Sequence, residues 1–165
     1  MAIEINFLTE MPEWRAPLKA YQPFWEQLVT ESLKHAPLPL PEWVAVNILL
    51  GDNDVVQHLN REYREIDKPT NILSFPQVEA WDIEGLNTNE DLELGDLVLA
   101  WGVVADEAKA QDKDIRDHVA HLLVHGTLHL LGYDHLDEAE ADRMEALETA
   151  ILSDVGIADP YILTD

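Results

Sequence analysis

Residues 125–135, HGTLHLLGYDH, set three histidines at positions 1, 5 and 11 of one segment, with a glycine between the last two. His125 and His129 are about one helical turn apart, so both imidazoles project from one helix face, separated by about 40°. Gly132 stands where such a helix would stop, because glycine accepts the left-handed conformation of a C-terminal cap. The next three residues can then swing His135 back toward the pair. Three neutral nitrogens converging on one point are what an open catalytic zinc site requires, with a fourth position left to water or substrate. The chain has no cysteine, so histidine and carboxylate are the ligands at hand. The spacing predicts one zinc ion per chain on His125, His129 and His135.

The pattern H-x-x-x-H-x-x-G-x-x-H matches the metzincin proteases position by position, with one break. Their general-base glutamate, directly after the first histidine, is here Gly126. Without that carboxylate peptide hydrolysis lacks its proton acceptor, which weakens a protease reading. Glycine inside a helix costs about 1 kcal/mol relative to alanine. Something therefore passes close to the backbone at Gly126, either a neighbouring element or a substrate chain, and a side chain should not fit. His118 and His121 lie one or two turns too early for the same ion; they contact substrate, orient a neighbour, or pack. Asp134 reads as a turn residue or a hydrogen-bond partner for a histidine.

Charge sets the next constraint. Ten basic residues against 33 acidic ones give a net charge of −23. A chain so acidic repels nucleic acid and anionic membranes at long range. The cations are nonetheless clustered: Arg61, Arg64 and Lys68 in one stretch, Lys109, Lys113 and Arg116 in another just before the histidines. Residues 77–96 carry seven carboxylates and no cation.

The elements that must position these residues follow from periodicity. Alternating Ile3, Ile5 and Phe7 predict a strand, and apolar residues at helical spacing predict a helix over 22–36, closed by the prolines from Pro37 onward. A β-branched run over 43–50 predicts a strand, and 52–64 a helix with an Asp or Asn cap. A turn at 67–71, a short strand at 72–75, a long acidic loop over 77–94 and a strand at 95–101 come next. Helices are expected over about 103–112, 115–131 and 137–154. The order predicts a single α+β domain over 1–165: a small mixed β-sheet packed against helices, with the metal-binding helix in the C-terminal half and the strands flanking the acidic loop paired. A loop that long is a lid, a binding loop or disordered. Nothing resembles a targeting segment or a membrane span, so cytoplasm is the expected location.

The eleven-residue segment resembles the signature of the YbeY family of bacterial endoribonucleases, metal-dependent enzymes of ribosomal RNA maturation. LNREYREIDKPTNILSFP (59–76) and LGDLVLA (94–100) are similar to the family's central stretch and to the strand before its metal helix. RMEALE (143–148) and DPYI (159–162) also resemble it, and the first 40 residues carry no such match. The resemblance implies zinc on His125, His129 and His135, and a functional arginine at Arg64. Chemistry supports the arginine: RNA cleavage develops charge on a phosphate, and a guanidinium binds two phosphoryl oxygens with a planar fork. Lys68, Lys113 and Arg116 are the further candidates for substrate, lining the approach. Asp67, Thr70, Asn71 and Ser74 read as turn and strand-start residues. The implied substrate is single-stranded RNA, at the 3′ end of 16S ribosomal RNA, with the small ribosomal subunit or its associated proteins as partner and no membrane. A metalloprotease, and a non-catalytic metal-dependent assembly factor suited to the acidic surface, stay open as alternatives.

Overall fold

A computed structural model describes residues 2–78, 81 and 91–161. Nine elements follow in order: β1 (Ala2–Leu8), α1 (Pro12–Leu33), β2 (Trp43–Gly51), α2 (Asn53–Arg64), β3 (Ile72–Pro76), β4 (Leu92–Ala100), α3 (Trp101–Ala110), α4 (Ile115–Leu130) and α5 (Glu138–Ser153). The sheet runs β1-β2-β4-β3. β1, β2 and β4 are parallel, and β3 pairs antiparallel with β4 across the acidic segment. The expected mixed α+β sheet and the expected β3–β4 pair are both present. Most of the acidic loop, 79–80 and 82–90, lies outside the described residues, as does Ile162.

Strand alternation sorts the side chains into two layers. Val44, Val46, Ile48 and Leu50 of β2 and Leu97 and Leu99 of β4 join α1 and α4 in the main core. Leu73, Val98 and Ala100 face the other way, toward Val56 of α2. On that second face Asn6 donates to Asn47 Oδ1 (3.0 Å) and Asn47 to Asp96 Oδ1 (3.1 Å), pairing polar groups across three strands.

Helix α1 begins ten residues before the sequence expectation, at Pro12 instead of Gln22, and carries Pro17 and Pro23 inside it. Pro12 sits in the first turn, where its missing N–H costs nothing. An interior proline costs about 3 kcal/mol, but burying a tryptophan of about 200 Å² returns about 5 kcal/mol at 25 cal/mol per Å². Trp14 and Trp25 are both fully buried, and their indoles donate to Gly51 O (2.9 Å) and Arg116 O (3.0 Å). Tertiary burial outweighs local propensity here. Among the described residues no helix is long and apolar enough to cross a membrane.

Candidate metal centre

Helix α4 lies on the sheet with Gly126 against it. A Cβ there would meet Ile72 Cδ1 and Leu97 Cδ2, each at 2.8 Å. Of the two causes open for this glycine, the close helix–strand contact is the one observed. It brings His125 and His129 down beside edge strand β3.

The helix then ends in a Schellman motif. Tyr133 N–H donates to Leu128 O and Gly132 N–H to His129 O, both at 3.0 Å, with Gly132 at φ +96°. This reversal carries the chain back over the helix. The Tyr133 carbonyl lands 2.9 Å from His129 Nδ1, and one ligand nitrogen each from His125, His129 and His135 falls within 4.8 Å of the others. Asp134 is a turn residue: its Oδ1 accepts the His135 backbone N–H at 2.8 Å.

Hydrogen bonding settles how the rings present themselves. A carbonyl can only accept, so His129 carries its proton on Nδ1 and turns the Nε2 lone pair inward. His125 Nδ1 donates to the carboxylate of Glu148, which turns its Nε2 toward the same point. Burial raises the Glu148 pKa, but the hydrogen bond and charge of His125, the hydrogen bond from Tyr161 and the charge of His121 outweigh it, and the carboxyl stays below its usual range. Burial, then the neighbouring His125, lower His129 to about 4, so it is neutral at pH 7. The two Nε2 atoms thus face each other at 3.1 Å. Two ring nitrogens that close must share a proton or a metal ion. Two nitrogens on one tetrahedral zinc would stand about 3.3 Å apart. The donor set therefore fits a metal ion.

A cleft of about 710 Å³ opens over these rings. Arg64, Thr70, Asn71 and Ser74 line it on one side, His125, His129 and His135 on the other. Arg64 is the last residue of α2, whose Asp52 cap accepts Val55 N–H at 2.8 Å. After it Glu65 turns into the left-handed region, and buried Asn60 donates to Lys68 O (2.9 Å), which ties the following turn to the helix. Arg64 is exposed and makes no ion pair among the described residues.

The other cations expected at the approach do not line the cleft. Lys68 is exposed on the turn two residues before Thr70. Arg116 bonds Asp117 at 2.8 Å and lies over the Phe24 ring at 4.5 Å, fixed against α1. Lys113 precedes α4 at the same end. The helical rise explains the displacement: nine residues from Arg116 to His125 span about 13 Å. Lys113 and Arg116 thus mark the wrong end of α4 for the cleft.

Of the two earlier histidines, His118 packs. It is buried, and its Nε2 donates to Glu107 (3.0 Å), which also accepts from Asn71 Nδ2 at 3.1 Å. His121 lies against Tyr161, its Nε2 3.3 Å from the hydroxyl. Glu148 and Tyr161 were missed as site residues. Glu148 had a signal, a carboxylate four residues after Met144 on the apolar stripe of α5; Tyr161 had none beyond the family resemblance.

Residues 10–156 match the family model described as Endoribonuclease YbeY. Proteins named Endoribonuclease YbeY are similar over most of the chain. The one from Rhizorhabdus wittichii is 46% identical over 151 residues, covering 86% of this chain and 89% of its own. That from Paramagnetospirillum magneticum is 42% identical, covering 98% and 97%. The fold is similar to the solution structure of TM1509 from Thermotoga maritima, with a TM-score of 0.52 and 20% identity over 96% of this chain and 99% of that one. The match takes in α1, within the first 40 residues that carry none of the resembling motifs. On fold, metal-capable histidines and sequence together, the chain belongs to the YbeY family of endoribonucleases.

Proposed function

We propose that this protein cleaves single-stranded RNA with one zinc ion held by His125, His129 and His135, and that it acts in the cytoplasm on ribosomal RNA, at the 3′ end of 16S RNA. The observation that carries the reading is the meeting of three imidazoles with an exposed arginine in the lining of one cleft. When bound on these three imidazoles, a zinc ion would supply Lewis-acid chemistry to the cleft. Arg64 binds the scissile phosphate through its planar fork and stabilises the charge that develops on it. The hydroxyls of Thr70 and Ser74 and the amide of Asn71 offer hydrogen bonds to the chain on either side. Ribosomal RNA, and docking to the small subunit or its proteins, rest on the family alone.

The test is cleavage of a single-stranded RNA oligomer by the parent protein and Arg64→Glu. The variant is expected to lose activity by at least a hundredfold with zinc content and circular dichroism unchanged, because the lost group acts on phosphate. Cleavage at the parental rate, with a ligand mutant excluding contaminating nuclease, favours an assembly role instead.

A further inference from the structure

We infer that Glu148, held by the hydroxyl of Tyr161, is a positioning carboxylate for His125, and that the turn Asp159–Tyr161 is part of the metal centre. The inference rests on the metal reading above and extends it to residues outside the ligand set.

Helix α5 buries Met144, Glu148, Ile151 and Leu152, one stripe at helical spacing with a carboxylate in its middle. Glu148 is fully buried. An ionised carboxylate taken out of water costs several kcal/mol unless its oxygens are paired. A leucine would pack the same stripe without that cost, so packing alone does not select glutamate. Both oxygens are engaged: Oε1 accepts His125 Nδ1–H, and Oε2 accepts the Tyr161 hydroxyl. The first bond fixes the tautomer that leaves His125 Nε2 free for a metal. The second holds the carboxylate in place.

Tyr161 is itself clamped. Asp159 Oδ1 accepts the Tyr161 backbone N–H at 2.8 Å and faces Thr149 Oγ1 of α5 at 3.3 Å. The His121 ring stands edge-on to the phenol, with 5.5 Å between centroids. A three-residue turn is thus locked from two sides to deliver one hydroxyl to one buried carboxylate.

The experiment compares full-length parent, Glu148→Gln, Tyr161→Phe and His129→Ala. Zinc affinity is measured by competition with a chromogenic chelator, the ligand field by the absorption of the cobalt(II) form, and folding by thermal melting of metal-free protein. Outer partners of ligating histidines typically govern 10–100-fold in metal affinity. Glu148→Gln is expected to lose about that much, and Tyr161→Phe on the order of tenfold, with altered cobalt(II) bands in both. Tyr161→Phe removes a single hydroxyl and carries the test should Glu148→Gln fail to fold. Parental zinc affinity and parental cobalt(II) spectra in the folded variants, while His129→Ala loses metal, would overturn the positioning role and leave the metal reading intact. Parental affinity in His129→Ala as well would overturn both.

Discussion

His129 carries much of the site's chemistry in one ring. Its Nδ1–H is fixed by the Tyr133 carbonyl, and its protonated form is disfavoured by burial and then by His125, which together lower its pKa to about 4. His121 is lowered to about 4 by burial, against an opposing contribution from Glu148. In the unfolded chain both titrate near 6.5. Between those values the unfolded state binds more protons than the folded one, so stability is full above pH 6.5 and declines as pH falls toward 4. Metal-stripped protein should therefore show a lower urea midpoint at pH 5 than at pH 7.5, and replacing His121 with asparagine should shrink the difference. An equal or higher midpoint at pH 5 would contradict the assignment of neutral buried imidazoles.

At the scale of elements, two glycines decide how α4 serves the site. Gly126 lets the helix approach β3 and β4, and Gly132 turns the chain so that His135 returns. Gly126→Val should destabilise by about 1–3 kcal/mol through overpacking, read from denaturant midpoints. Gly132→Val should cost at least as much, because its φ is left-handed and its Cβ would also meet the Trp81 ring at 2.8 Å. It should weaken metal binding too if His135, on the returning segment, is a ligand as proposed. The histidine spacing, the Gly132 cap and the mixed sheet were legible in the sequence because each is a local pattern with one geometric solution. The start of α1 was not legible, since two buried tryptophans outweigh prolines that local propensity reads as breakers. Arg116 was misplaced for a related reason. Nearness to the histidines in sequence is distance along a rigid helix, and its guanidinium is held by Phe24, 92 residues away in sequence. Glu148 announced itself weakly, as a charge on an apolar stripe, but its partner could be known only from the fold.

Over the whole molecule, the charge of −23 and one cleft-lining arginine among the described residues describe an enzyme that does not hold RNA by bulk attraction. Affinity for single strands falls with salt by about 0.7 logarithmic units per neutralised phosphate. With Arg64 alone among the predicted cations in the lining, the slope of log affinity against log salt should be about 1–2. A slope above about 4 would mean that cations away from the cleft, such as Lys113 and Arg116, carry the RNA after all. If docking to the small subunit supplies the selectivity, as proposed above, purified small subunits should be cut in preference to the same RNA free in solution. Zinc on the three histidines is the premise of the whole reaction. Elemental analysis of parent protein purified without added metal and then loaded and desalted is expected to give one zinc per chain, and His125→Ala, His129→Ala and His135→Ala each well below that. Full zinc occupancy in any folded single mutant, or none in the parent, would contradict it.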